Sequence, residues 1–140
     1  MSVKHFHHLG LAIPDVPTQK KFYEDFGLIG EEIENRAIMR CIGRDQDQLL
    51  LTEGPERKLS HVSYGADDEG LAAVKNNIEA SNLATEIDCP KDTPYEGIWI
   101  QDFEGDVYNV NISEAAPSKG GISPSIAHEA FQANGPGHYD

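Results

Sequence analysis

The most constraining feature of this sequence is one short pattern that occurs at two places, His8–Asp15 and His61–Asp68, 53 positions apart. Each segment opens with a histidine and reads as an extended strand, in which side chains alternate between two faces. One face of each strand then carries the histidine with small residues, and the other face is apolar. The small-residue faces are His8, Gly10 and Ala12 in the first copy and His61, Ser63 and Gly65 in the second. We therefore expect two copies of one unit, with an open volume in front of the two imidazoles.

Each unit is predicted to contain a strand, a helix and three further strands. Asp15 as N-cap, with Pro17 in the first turn, predicts a helix over residues 18–26 that ends at Gly27. Asp67 or Asp68 caps a second helix over about residues 69–80. The buried sides of the helices are predicted to be Val16, Phe22, Tyr23 and Phe26 in the first, and Leu71, Ala73, Val74 and Ile78 in the second.

The remaining strands are predicted at about 31–35, 37–42 and 48–52 in the first unit, and at about 59–66, 85–88, 97–101 and 107–112 in the second. Alternation places Leu50 and Asn109 on the same side as the histidines. The same rule directs His7 away from His8, so we interpret His5 and His7 as surface or edge residues.

Composition limits the classes of partner. A length of 140 residues with 39% hydrophobic content fits one domain with an ordinary core. The net charge of −13 repels phosphate backbones and anionic lipid surfaces, so neither nucleic acid nor membrane is expected as a partner. Apolar runs are short and the first residues do not read as a signal peptide, which favours a cytoplasmic protein. Cys41 and Cys89 are expected to be buried or free thiols.

The domain is predicted to span residues 1–113, as modules of about 5–53 and 59–113. Residues 114–140 are richer in Gly, Pro, Ser and Ala and form a tail with one short helix, over residues 123–132. The tail is a lid, a dimer arm or a mobile segment, and its His128 and His138 are expected to be solvent-exposed.

Several segments resemble the vicinal oxygen chelate superfamily, which includes glyoxalase I, bleomycin-resistance proteins and type I extradiol ring-cleavage dioxygenases. They are His8–Asp15 followed by residues 21–28 (KFYEDFGL), His61 at the start of the second unit, and residues 99–106 (WIQDFEGD). Within the superfamily, residues 36–41 (RAIMRC) and 48–51 (QLLL) are most similar to extradiol dioxygenase domains. The resemblance implies an α+β fold, in which two βαβββ modules form an open eight-stranded mixed barrel with the helices outside.

The resemblance also implies a metal site built from the first and last strands of each module, at His8, Leu50, His61 and Asn109. Extradiol enzymes combine the two histidines with a glutamate at the last of these positions, a set that suits non-haem iron. This chain departs there, because Leu50 has no donor atom and Asn109 offers a neutral amide oxygen. The resemblance implies a divalent ion, Fe(II) or Mn(II), on His8 and His61 with Asn109 as a weak ligand.

A ligand pocket is predicted around that site, and no catalytic residue is assigned. Its expected residues are Gly10, Arg40, Gln48, Leu50, Ser63, Trp99 and Asn111. Tyr95 and Tyr64 are further candidates to surround a substrate, although alternation puts Tyr64 nearer the core.

Two functional hypotheses remain open, and a third is weaker. The first is an extradiol-dioxygenase-like oxidoreductase that binds a small aromatic or vicinal-oxygen compound through the metal. The second is a metal-free ligand-binding or accessory module, since the resemblance extends to the domain of two-domain extradiol enzymes that lacks the working metal. The third, a glyoxalase-type lyase or isomerase, needs anionic ligands at Leu50 and Asn109. Open sheet edges also predict a homodimer.

Overall fold

The secondary structure follows the predicted order twice. In a computed structural model, which describes residues 3–91 and 93–117, the first module comprises β1 (His5–Ile13), α1 (Val16–Phe26), β2 (Ile29–Ile33), β3 (Arg36–Arg40) and β4 (Asp47–Glu53). The second comprises β5 (Lys58–Ala66), α2 (Asp68–Ser81), β6 (Ala84–Ile87), β7 (Ile98–Asp102) and β8 (Val107–Ile112). The predicted tail helix lies outside the described residues, as do His128 and His138.

The eight strands form one mixed sheet in the order β2-β3-β4-β1-β5-β8-β7-β6. Each module contributes four neighbouring strands, and the modules meet where β1 pairs with β5 in antiparallel fashion. Within the modules, β1 pairs with β4 and β5 with β8 in parallel. The sheet leaves β2 and β6 at its two edges and is not closed into a barrel, which confirms the predicted open arrangement.

Both helices begin and end where the capping residues predict. The Asp15 carboxylate accepts a hydrogen bond from the Thr18 N–H at 3.1 Å, and the Asp67 carboxylate accepts one from the Gly70 N–H at 2.8 Å. The first helix ends at Gly27, whose φ of 118° requires a residue without a side chain. Among the described residues, neither helix is both long and apolar enough to cross a bilayer.

Each helix covers its own apolar cluster. Ile13, Val16, Ala37, Met39 and Leu51 form the first cluster, and Ala66, Val74, Ile98, Ile100 and Val110 form the second. The predicted buried stripe of α1 was partly wrong, because Phe22 and Phe26 are 56% and 74% exposed. At 100° per residue they lie about 80–120° around the helix from Val16, on a ridge that faces away from the sheet.

Two β-bulges interrupt the pairing of β1 with β5. Phe6 pairs with Tyr64 and His8 with Ser63, so His7 is an extra residue in β1. Leu11 pairs with Leu59 and Gly10 with His61, so Ser60 is an extra residue in β5. A bulge places two successive residues opposite one partner and breaks strict alternation. Each bulge thus sets an additional polar side chain immediately before a histidine.

Candidate functional site

The imidazoles of His8 and His61 meet at the junction of the two modules. Their Nε2 atoms lie 2.7 Å apart and their ring planes are nearly perpendicular, at 85°. His8 is completely buried and His61 is 1% exposed. At this distance one ring donates a hydrogen bond to the other. We call these two residues the histidine pair.

The outer nitrogen of each ring also has a partner, which the bulges supply. His7 Nδ1 lies 2.7 Å from His8 Nδ1, and the Ser60 hydroxyl lies 3.3 Å from His61 Nδ1. All four ring nitrogens of the histidine pair are therefore in hydrogen-bonding contact. The prediction that His7 points away from His8 was wrong, because the bulge at His7 brings both rings to one side of the strand.

Burial keeps the histidine pair neutral. Removal from water, together with the neighbouring His61 and His7, lowers the pKa of His8 to about 2. Burial also lowers the pKa of His61, to about 4. A proton on either ring would place an uncompensated charge in the interior. At neutral pH both rings can donate and accept hydrogen bonds without carrying charge.

Tyr95 covers the pair from the segment between β6 and β7. Its ring lies 3.9 Å from the His8 ring, centroid to centroid, at 35°. Its hydroxyl donates to an Asp47 carboxylate oxygen at 2.9 Å, and the other oxygen of Asp47 accepts from Arg40 Nε at 2.8 Å. Burial, together with the charge of Asp47, raises the pKa of Tyr95. The phenol is thus protonated and held against His8.

Trp99 supplies the second aromatic wall. Its ring centroid lies 4.9 Å from that of His61, edge to face, and its indole N–H donates to the Tyr95 carbonyl at 3.2 Å. A hollow of about 500 Å³ is lined by Tyr95 and Trp99 together with residues 86–89.

The open volume predicted in front of the imidazoles is filled by rings. A Cβ atom on Gly10 would overlap the His61 imidazole, and one on Gly65 would overlap the His5 imidazole. The small residues make room for rings from the neighbouring strand. This corrects the expectation that they leave space for a ligand.

Asn109 belongs to a separate hydrogen-bonded group with Ser63 and Asn111, which we call the asparagine cluster. Its side-chain oxygen accepts from the Ser63 hydroxyl at 2.7 Å and from the Asn111 amide at 3.0 Å. Its amide nitrogen donates to the carbonyls of Glu96 and Ile98 at 3.0 and 3.2 Å. Asn109 is completely buried, and its hydrogen-bonding capacity is used within the protein.

The donor set does not fit the metal site that the resemblance implies. Two imidazoles converge, but Leu50 is apolar and the oxygen of Asn109 already accepts two hydrogen bonds. Within residues 3–91 and 93–117, no group of three or more His, Cys, Asp or Glu side chains is placed to hold a metal ion. A two-histidine, one-carboxylate site needs an anionic third ligand, which the histidine pair does not have.

The other predicted pocket residues have structural partners. Gln48 donates to the backbone carbonyl of Asp47 at 3.1 Å, Leu50 is completely buried, and Arg40 forms ion pairs with Asp47 and Glu31. Cys41 and Cys89 are free, exposed thiols.

Three contributors were missed in the sequence. His7 and Ser60 each precede a histidine directly, a signal visible as His-His and Ser-His but misread by alternation. Asp47 lies between the strands predicted at about 37–42 and 48–52, and it is the first residue of β4, where it accepts a hydrogen bond from the Tyr95 hydroxyl.

Comparison with known proteins supports this fold. No protein-family model matches the chain. Metapyrocatechase 2 of Cupriavidus necator is 25% identical over 123 residues, which are 84% of this chain and 36% of that protein.

Solved structures give the same result. The Mn(II)-bound glyoxalase of Novosphingobium aromaticivorans superposes with a TM-score of 0.73 at 22% identity, over 88% of this chain and 43% of that one. The 2,3-dioxygenase LapB of Pseudomonas sp. KL28 has a TM-score of 0.68 at 16% identity, over 89% and 45%. A variant of homoprotocatechuate 2,3-dioxygenase from B. fuscum has a TM-score of 0.66 at 18% identity, over 84% and 34%.

The chain therefore has the fold of extradiol dioxygenases and glyoxalases, as the resemblance implied. It spans less than half the length of each of these proteins.

Proposed function

We propose that this chain is a small-molecule-binding domain of the extradiol dioxygenase fold, which takes a hydroxylated aromatic compound at the histidine pair without a metal ion. The position of Tyr95 is the observation that carries this proposal. A phenol of the chain itself stacks on His8, and its hydroxyl is held by Asp47. The surface beneath Tyr95 thus suits an aromatic ring that bears a hydroxyl group.

The surroundings favour a neutral phenol over an anionic one. Asp47 is an acceptor beside the hydroxyl, and a phenolate would be repelled by that carboxylate. The neutral imidazoles of the pair and the edge of Trp99 complete an aromatic wall. We infer that a ligand ring takes the place of the Tyr95 ring and that its hydroxyl takes over the hydrogen bond to Asp47.

The relatives supply the ligand class. Metapyrocatechase, a catechol dioxygenase and homoprotocatechuate 2,3-dioxygenase are all named for hydroxylated aromatic compounds. Because this chain matches only part of each, their activities enter here as part of the proposal.

Removing the internal phenol tests the proposal. Tyr95→Ala should bind phenol and catechol at least about tenfold more tightly than benzene, since a hydrogen bond to a carboxylate contributes on the order of 1.5 kcal/mol or more. Titration calorimetry with phenol, catechol and benzene measures this preference. Wild type should bind the same compounds more weakly, because Tyr95 must be displaced first.

Two further variants identify the site. Asp47→Ala in the Tyr95→Ala background should remove the preference for phenol over benzene. Tyr64→Ala is the matched control, because Tyr64 packs edge to face on Phe6 and, within the described residues, has no ring contact with the histidine pair. Equal binding of phenol and benzene by Tyr95→Ala, or binding of phenol by Tyr64→Ala as tightly as by Tyr95→Ala, would overturn the proposal.

A metal-dependent ring-cleavage domain is the second candidate, which one observation favours. The two Nε2 atoms converge, and each Nδ1 has a hydrogen-bonding partner. Histidines that bind a metal through one ring nitrogen are commonly held by such a hydrogen bond at the other. Titration with Mn(II), and with Fe(II) under anaerobic conditions, measures metal affinity in protein purified without an affinity tag. Micromolar or tighter binding that His61→Ala abolishes would replace the metal-free proposal.

Restoring the carboxylate gives the complementary test. Asn109→Glu should create metal affinity if the pair lacks only an anionic ligand, whereas Asn111→Glu adds the same buried charge at a neighbouring position and should not. Ring-cleavage activity and a homodimer stay predictions, which catechol turnover after iron loading and sedimentation of the purified chain would measure.

A further inference from the structure

We propose that His7, His8, His61 and Ser60 form a proton relay that crosses the junction of the two modules. The relay consists of three successive hydrogen bonds, His7 Nδ1 to His8 Nδ1 at 2.7 Å, His8 Nε2 to His61 Nε2 at 2.7 Å, and His61 Nδ1 to Ser60 Oγ at 3.3 Å. It extends beyond the binding proposal, because it needs no ligand.

The three links allow only two arrangements of hydrogen when the rings are neutral. A neutral imidazole has one N–H and one bare nitrogen, so a ring that accepts at one end must donate at the other. In the first arrangement His7 donates to His8, His8 to His61, and His61 to Ser60. In the second, Ser60 donates to His61, His61 to His8, and His8 to His7. A serine hydroxyl can both donate and accept, so it can end either arrangement.

Conversion between the arrangements moves one proton through the protein. Each hydrogen shifts along its own hydrogen bond, from His7 to His8, from His8 to His61, and from His61 to the Ser60 oxygen. His7, which is partly exposed, takes up a proton from solvent at Nε2, and Ser60 releases its original hydroxyl proton to solvent in the cavity that it lines. No bond between heavy atoms changes, and no ring remains charged after the transfer.

The two ends of the relay lie in different surroundings. His7 is partly exposed, and its ring packs edge to face against Tyr95, 5.9 Å away. Of the neighbouring charged or titratable groups, Asp47 has the largest effect on the pKa of His7. His5, on the same strand, also affects it. Ser60 and His61 line a cavity of about 220 Å³ together with Gln101, Asp106 and Tyr108. The middle of the relay is buried, so a proton on His8 has no direct route to water.

The tautomers of the three histidines provide a test that needs no substitution. Both arrangements give His7 and His61 the same tautomer and give His8 the opposite one. Long-range ¹⁵N–¹H correlation spectra of histidine-labelled wild-type protein distinguish Nδ1–H from Nε2–H rings. A spectrum in which His8 shares the tautomer of either neighbour would overturn the relay.

Exchange of the ring hydrogens with water tests the transfer itself. Saturation transfer from water to the ring N–H of His8 and His61 should slow by about tenfold or more in His7→Phe and in Ser60→Ala, because each variant removes one end.

Ser113→Ala is the matched control, since the Ser113 hydroxyl contacts His5 Nε2 at the same 3.3 Å but lies outside the relay. His5→Phe is the corresponding ring control. Exchange that is unchanged or faster in Ser60→Ala and His7→Phe would overturn the proposal, as would equal slowing in the Ser113→Ala control.

Discussion

His8 and His61 face each other across the junction of the two modules, with their Nε2 atoms 2.7 Å apart. They come from β1 and β5, the strands by which the two halves of the sheet pair. The junction of the two modules thus contains a hydrogen bond between two buried imidazoles. Stability should therefore depend on the protonation of these rings.

Acid should destabilise the chain through the histidine pair. The pKa values of His8 and His61 are about 2 and 4 in the folded chain, below the ordinary value of 6.5. At pH values between each folded pKa and 6.5, the unfolded chain therefore binds more protons than the folded chain. The free energy of unfolding should be highest above about pH 6.5 and fall as pH decreases, by at most about 1.4 kcal/mol per pH unit for each ring. The fall should continue to about pH 4 for His61 and about pH 2 for His8.

Urea denaturation between pH 8 and pH 5 measures this slope. His61→Asn should reduce the slope below pH 6 by roughly one proton's contribution. Asn77→Ala, on the exposed side of α2, is the control and should keep the wild-type slope. Identical slopes for all three proteins would contradict the role of the pair.

Gly10→Ala should destabilise the fold by about 1–3 kcal/mol, because the added Cβ would overlap the His61 imidazole and push it from its hydrogen bond. Gly30→Ala is a suitable comparison, since its added Cβ would meet mainly the flexible ends of Lys20 and Met39. Thermal unfolding of both variants measures the difference. A Gly10→Ala protein as stable as wild type would show that the ring can move without cost.

Tyr95→Phe should cost about 1 kcal/mol, because it removes the hydrogen bond to Asp47 and keeps the ring on His8. Tyr108→Phe removes a comparable bond to Asp102 near the surface and should cost less than about 0.5 kcal/mol. Chemical denaturation compares the two variants. A larger loss in Tyr108→Phe would mean that the Tyr95 hydroxyl contributes little.

Asn109→Asp should destabilise the chain by about 2–4 kcal/mol, since it buries a charge and leaves the carbonyls of Glu96 and Ile98 without their donor. Asn77→Asp, on the exposed side of α2, should stay within about 0.5 kcal/mol of wild type. Denaturation with and without Mn(II) measures both effects. Recovery of the lost stability on addition of Mn(II) would favour the metal-dependent candidate.

Most of the architecture follows from local chemistry. The repeated histidine strands predicted two modules, and Asp15, Asp67 and Gly27 predicted the helix boundaries. Alternation placed Leu50 on the side of the histidines, and its neighbours Leu49 and Leu51 accordingly pack with the first apolar cluster on the opposite side. These features depend on neighbours within one turn or one strand, so the order of residues is sufficient to predict them.

The candidate site depended on features that alternation does not encode. A bulge adds one residue to a strand, and strict alternation does not predict where that residue is added. Alternation therefore directed His7 away from His8 and did not mark Ser60 as a neighbour of the His61 ring. The position of Tyr95 on His8 arises from a loop between β6 and β7 that crosses to the other module and pairs with Asp47. Such a contact depends on the complete sheet.

The extra residues His7 and Ser60 divide β1 and β5 each into two stretches. Side chains alternate between the two faces of the sheet in both stretches, but in opposite phase. In β1, residues 5 and 6 keep one phase and residues 8–13 keep the other. Loss of the single residue His7 would bring the two stretches into a common phase and leave every core side chain of α1 in place. A change in strand length alone would thus add or remove the third imidazole, with the helices and the apolar clusters untouched.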